Sequence, residues 1–220
     1  MWVFGYGSLM WDGWEAALEG TRTDHAVLSG YRRSFNKKST ERWGTAKRLG
    51  PTLGLEPEDA AQCIGTAFEF PEAQRAAVLQ ALREREGPSF HLPELSVTLP
   101  DGRTVQAVTP VNDHTKRTYI GNVPLAERVA MARVAKGADG LCVDYVLNIS
   151  ARLQALGIAD AAVEEFAAPF ATPWPRGAQR RGQQNSRRAR SSLAMTKDRL
   201  TTPQLPKSGI RGRDCIELAP

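Results

Sequence analysis

Trp2-Val3-Phe4 starts an apolar run that ends within a few residues on Gly5-Tyr6-Gly7-Ser8, so Trp2 to Tyr6 reads as a short buried strand closed by a glycine-bearing turn. A second apolar stretch, Ala26-Val27-Leu28 within Asp24 to Phe35, is a second strand, and the polar, basic segment from Asn36 to Leu49 reads as a loop. Pro51-Thr52-Leu53-Gly54-Leu55 and Cys63 to Phe70 follow as two core strands, each carrying glycine where a barrel bends or another group comes close. Apolar spacing then changes from two to between three and four. Pro71 to Glu86 is predicted as a helix with Ala77, Val78, Ala81 and Leu82 on one stripe, ended by Gly87.

Leu95 to Leu99 alternates with period two before Pro100-Asp101-Gly102, and Val105 to Val108 resumes the alternation, which is hairpin chemistry. A loop from Asn112 to Asn122 leads to Pro124, which opens a helix ending before Gly137. A second helix runs from about Gly140 to Gly157 on Val143, Val146, Ile149 and Leu153, and a short one covers Asp160 to Phe170. Strands first, a helix at the centre, a hairpin and then helices do not give the rhythm of a doubly wound sheet; they predict an α+β fold with a mixed or barrel-like sheet.

The chain has 220 residues, 41% of them hydrophobic, enough for one buried core. The net charge of +5 is unevenly spread: Thr172 to Pro220 holds 11 Lys+Arg against three Asp+Glu, which leaves 18 against 21 in residues 1–171. The folded part is thus expected to be mildly acidic, which removes the main support for a nucleic-acid reading of the whole protein. Residues 172–220, rich in Arg, Gln, Ser, Gly and Pro, are expected to be a basic disordered tail, for which RNA contact is the less favoured role. No apolar stretch approaches the roughly 18 to 20 residues that cross a bilayer, and no secretory signal opens the chain; a cytoplasmic location is the expectation. Cys63, Cys142 and Cys215 are odd in number, and with His25, His91 and His114 they make no metal-ligand spacing, so neither a disulfide framework nor a metal site is expected.

Two stretches carry candidate chemistry. Glycine permits positive φ and close approach to backbone N–H groups, so Gly5-Tyr6-Gly7-Ser8 at a strand end would suit a carboxylate or phosphate; read in isolation it is a bend at a sheet corner. It is not a dinucleotide fingerprint, a Walker loop or a nucleophile elbow, because each of those needs a glycine or lysine that is missing. The other stretch is Arg83-Glu84-Arg85-Glu86-Gly87-Pro88. Glu84 reads as solvated surface, whereas Glu86 ends its helix, where the dipole disfavours a carboxylate. A charge kept there either faces water or has its pKa raised, and a carboxyl group so raised is a good proton shuttle near neutrality.

Set in order, these segments resemble the ChaC-type γ-glutamylcyclotransferases. Trp2 to Trp11 resembles the family's opening, Gly30-Tyr31-Arg32-Arg33-Ser34-Phe35 with Ser39-Thr40 and Trp43-Gly44-Thr45 its second strand and loop, and Cys63 to Phe68 a later strand. Leu82-x-x-Arg85-Glu86 with Phe90 resembles the segment of the catalytic glutamate, and Tyr119-Ile120-Gly121 with Pro124-Leu125 the turn before the last helices. The resemblance covers about residues 1 to 170. It implies a small mixed or antiparallel β-barrel flanked by helices over residues 1–171, and release of 5-oxoproline from a γ-glutamyl substrate, glutathione foremost, by attack of the substrate's own α-amine, a tethered nucleophile that needs no cofactor. Carried over by residue, it makes Glu86 the general acid/base and Val3, Phe4, Gly5, Tyr6, Gly7 and Ser8, with Tyr119, the substrate-binding set; Arg33, Ser39 and Trp43 are of second rank. Phe90 stands where many members have tyrosine, and Gly87-Pro88-Ser89 replaces a glycine pair, which leaves the leaving-group preference open. The alternatives are other γ-glutamyl amino acids or amines as substrates, or a non-catalytic binding protein on the same fold.

Overall fold

The computed structural model describes residues 1–171. The basic segment 172–220, with Cys215 and the disorder and RNA-contact expectations attached to it, lies outside the described residues. In chain order the elements are strands β1 (Trp2–Gly5), β2 (Thr21–Ser39) and β3 (Gly50–Glu69), helix α1 (Arg75–Glu86), strands β4 (Phe90–His91), β5 (Glu94–Thr98), β6 (Thr104–Val108) and β7 (Val111–Asn112), helix α2 (Leu125–Val134), the two-residue strands β8 (Lys136–Gly137) and β9 (Gly140–Leu141), and helices α3 (Cys142–Ala155) and α4 (Ala161–Ala171). Five strands close a barrel in the order β1-β3-β2-β5-β6. Every pairing in it is antiparallel except that between β6 and β1, which is parallel and closes the ring.

β1 is apolar without alternation because both of its faces are covered. Phe4 points into the main core with Leu28, Phe35 and Leu55, while Val3 packs with Phe68, Val78 and Leu82 in a second cluster under α1. Burying side chains of this size contributes roughly 1.5–3 kcal/mol each. On α1 the buried residues are Val78 and Leu82; Ala77 is exposed, so the apolar face is narrower than the expected stripe. The helix begins at Arg75, after Pro71 and a 3-10 turn over Glu72–Gln74, rather than at Pro71 itself.

Two expectations are corrected. Pro51 to Leu55 and Cys63 to Glu69 belong to one 20-residue strand, β3, and are joined through an exposed middle at Pro57 to Ala60; Phe70 follows the strand. Its partner β2 continues through Asn36 to Ser39, of which Lys37 to Ser39 pair with Gly50 to Thr52, so the loop shrinks to residues 40–49. The polar Asn36 is buried there because its amide donates to the Leu55 carbonyl (3.1 Å) and Glu56 Oε1 (2.7 Å) and accepts from Asn112 Nδ2 (3.2 Å). A buried amide with partners on both sides costs little to hide. Register shifts at Asp24/Ala26, Ser29/Tyr31 and Ser34/Lys37 coil the two long strands, and His25 (φ 62°) and Gly30 (φ 79°) sit at these bulges.

One close approach fixes how β1 meets the barrel. A Cβ on Gly65 would stand 2.3 Å from the Gly5 carbonyl oxygen and 2.7 Å from the Phe4 ring. Gly65→Ala is therefore expected to destabilise the fold by about 1–3 kcal/mol, seen as a lower urea midpoint at unchanged slope; an unchanged midpoint would contradict that packing.

α3 buries Cys142, Val146, Ile149 and Leu153, with Val143 at the edge of the face. α4 lays Phe166 flat against Phe35 of β2, with ring centroids 4.2 Å apart. No helix among the described residues is long and apolar enough to cross a membrane.

Candidate active site

The strand end that follows β1 is held from behind by one arginine. Arg33 has no exposed side-chain surface, yet every part of its guanidinium is used. Nε donates to the Tyr6 carbonyl (2.7 Å), Nη2 to the Ile64 carbonyl (2.6 Å) and Nη1 to Asp160 Oδ2 (2.9 Å). Asp160 also caps α4, its Oδ1 accepting from the Val163 N–H at 3.0 Å. Tyr6 is fixed at its other end too, its hydroxyl donating to the Pro110 carbonyl at 2.8 Å. Beyond Gly7 the chain turns once as a 3-10 helix, Ser8–Met10, closed by Met10 N–H to the Gly7 carbonyl at 2.9 Å.

This turn faces the end of α1 across a cleft of about 260 Å³. Arg85 links the two sides: Nη2 donates to Ser8 Oγ (2.9 Å), Nη1 pairs with Asp12, and Nε lies 3.7 Å from Glu86 Oε1. Nε is buried and makes no hydrogen bond, so the guanidinium is set beside Glu86 with a donor in hand. Glu86, the last residue of α1, keeps 19% of its side-chain surface. Burial pushes its carboxyl above the usual 4.5, against the pull of Arg85, Lys37 and Arg42, while Asp12 pushes the same way as burial. Lys37, on β2, is itself held below the ordinary lysine range by burial and lies 4.4 Å over the Phe90 ring. Opposite, Tyr145 of α3 accepts the Leu53 N–H at 3.1 Å, which leaves its hydroxyl proton for another acceptor. Its ring packs on Trp43 (5.0 Å), and burial raises the phenol strongly.

Tyr6, Gly7, Ser8 and Glu86, far apart in sequence, thus line one cleft, together with Ser39 and Trp43. Val3 and Phe4 do not: both are fully buried core residues, and Gly5 is buried behind the turn, where an added Cβ would lie 3.0 Å from Leu9 and from Phe68. Nor does Tyr119. Its ring stacks on His114 at 4.3 Å and its hydroxyl bonds Glu56, outside the cleft, and it reaches the site through a backbone bridge to Lys37. Lys37, Arg42, Tyr145 and Asn148 line the cleft without having been singled out in the sequence, and Arg85 was quoted there without a role. Among the described residues no three His, Cys, Asp or Glu side chains stand together as a metal site, and Cys63 and Cys142 are buried thiols whose burial raises them to about 11 and about 12.

The family model described as ChaC-like protein matches residues 1–170. The chain belongs to the ChaC-like family. Among curated ChaC-like relatives, the glutathione-specific γ-glutamylcyclotransferase of Escherichia coli K12 is 32% identical over 162 residues, 73% of this chain and 68% of that one. γ-Glutamylcyclotransferase 2-3 of Arabidopsis thaliana is 31% identical over 176 residues, 76% of this chain and 86% of that one. The crystal structure of a yeast γ-glutamyl cyclotransferase specific to glutathione superposes with a TM-score of 0.68 at 19% identity, covering 76% of this chain and 94% of that one. That likeness extends the ChaC-like assignment to the fold: an α+β barrel flanked by helices.

Proposed function

We propose that this chain is a γ-glutamylcyclotransferase that cleaves glutathione to 5-oxoproline and cysteinylglycine in the cytoplasm. The observation that carries the reading is the meeting of a desolvated glutamate, Glu86, with the Tyr6-Gly7-Ser8 turn in one cleft; family membership supports it.

The chemistry asks little more. Glu86 takes a proton from the substrate's α-ammonium group, and the freed amine attacks the γ-carbonyl carbon. A carbon–nitrogen bond forms, the five-membered ring closes, and the bond to the departing nitrogen breaks as Glu86 returns the proton to it. Over the whole reaction two protons leave the attacking nitrogen and two arrive on the departing one, so no acid or base is consumed. The nucleophile is tethered, and holding it near the carbonyl removes most of the entropic barrier. The turn at Gly7 and Ser8 offers backbone donors to the substrate's α-carboxylate or to the developing oxyanion, where one such donor is worth about 3 kcal/mol. Arg85 keeps Ser8 and Glu86 in register across the cleft.

Purified protein incubated with glutathione is expected to release 5-oxoproline, measured by chromatography, without added metal or cofactor. Absence of 5-oxoproline from glutathione and from γ-glutamyl dipeptides alike would refute the reading. As a base, Glu86 must be ionised, and its pKa is raised; kcat/KM should therefore rise with pH along a limb whose midpoint lies above 4.5, the ordinary glutamate value.

A further inference from the structure

The cleft has more positive charge than the γ-glutamyl half of a substrate can use. We propose that Arg42 binds the carboxylate of the leaving group, so that the site selects γ-glutamyl peptides over γ-glutamylamines. This rests on the cyclotransferase reading above and assigns the residue that recognises the leaving-group half of the substrate.

The cleft is lined by three cations, Lys37, Arg42 and Arg85, and two anions, Glu86 and Asp139. A γ-glutamyl group brings one carboxylate and one ammonium. A peptide leaving group adds a second carboxylate; a simple amine adds no charge. Two of the cations are already committed: Arg85 to Ser8 and Asp12, and Lys37 to a half-buried position whose charge is felt at Glu86. Arg42 differs. Its side chain is 64% exposed, and its Nε stands 3.8 Å from Asp139 Oδ2, too long for a hydrogen bond. A planar guanidinium held by one weak contact presents its remaining donors to a carboxylate as a fork.

The backbone that carries Arg42 is fixed, which separates it from an ordinary surface arginine. The Glu41 and Arg42 carbonyls accept from the Ala138 and Asp139 N–H groups, both at 2.9 Å, and Trp43 N–H donates to Ser39 Oγ at 3.0 Å. Contact is so close that a Cβ on Gly137 would lie 2.2 Å from the Arg42 carbonyl oxygen. Trp43 then packs on Tyr145, which lines the same cleft. The loop thus aims Arg42 at the cleft, and the charge reaches the reacting end: it acts on both Glu86 and Lys37.

The test is a cycle of two enzymes and two substrates. Wild type and Arg42→Ala are each assayed for 5-oxoproline release from glutathione and from its glycine monoethyl ester, which keeps every atom of the γ-glutamyl half and removes the distal charge. One partly exposed charge-assisted contact corresponds to about tenfold in kcat/KM. Wild type should prefer the acid to the ester by about tenfold, and in Arg42→Ala that ratio should fall to near one, because any change at Glu86 acts on both substrates alike. Arg42→Lys should keep part of the preference, and the preference should shrink with added salt. Equal loss on both substrates, or no loss on either, overturns the assignment of Arg42 while leaving the cyclotransferase reading intact. No 5-oxoproline from either substrate with wild type overturns both.

Discussion

Glu86→Gln is expected to lower kcat for 5-oxoproline release by about 10²–10⁴-fold, the usual worth of a positioned general acid/base, while leaving the fold at least as stable. The two readouts separate because the same burial acts on both. A carboxyl whose folded pKa is raised binds its proton more readily in the fold than in the unfolded chain. Its ionised form therefore costs stability at neutral pH, and that cost is relieved as pH falls through the raised pKa towards the unfolded value. The neutral glutamine never carries this cost. It keeps the shape at the end of α1 and the reach of Arg85, so thermal unfolding at pH 7 should occur at or above the wild-type temperature. Retained activity in Glu86→Gln would remove Glu86 from the reaction; lost activity with a sharply lowered melting temperature would make its role structural.

The second large effect is expected at Arg33, where stability and site geometry meet. Arg33→Met removes a guanidinium that satisfies two carbonyls and a carboxylate at once. It leaves Asp160, whose side chain is 12% exposed, without its cation. Removing one partner of such a buried pair costs about 3–5 kcal/mol, mostly through the charge left behind, and chemical unfolding should report a loss of that size. Arg33→Met with Asp160→Leu should recover part of it, because no unpaired charge remains, although the Tyr6 carbonyl stays without its donor. A loss below about 1 kcal/mol in the single variant, the range of a surface ion pair, would show that Arg33 does not hold the turn.

Much of the barrel could be read in advance, because the β5–β6 hairpin, the end of α1 at Gly87 and the helical faces of α3 and α4 are written in local spacing and turn chemistry. The two strand corrections share a cause: within a short window, a polar stretch looks like the end of a strand. Asn36 looks like loop, but its partner Asn112 lies 76 residues away, and no window along the chain contains both. Pro57 to Ala60 interrupts the apolar pattern of β3 because that stretch is exposed, not because the strand ends. In the site, Glu86 could be singled out because a carboxylate at a helix C-terminus is a local anomaly. Tyr145 carries no such mark, since an aromatic on a helix among Val146 and Ile149 is ordinary core composition. Val3 and Phe4 erred the other way: they flank the glycine turn in sequence, but strand geometry sends their side chains into two cores.

The parallel pairing of Trp2 and Val3 with Ala107 and Val108 bears on how the molecule comes together in time. β1 precedes both of its neighbours in the chain, and it can be pinned only after β3 and then the β5–β6 hairpin exist to receive it. Its pairing with β6 spans the longest loop in the barrel, whose closure entropy must be met before the pairing repays it. The turn it carries into the cleft is therefore a late product of folding, and pulse-labelled amides of β1 should gain protection no earlier than those of β6. A chain interrupted before Val108 would hold β1 by one edge alone, with a glycine turn still seeking its place.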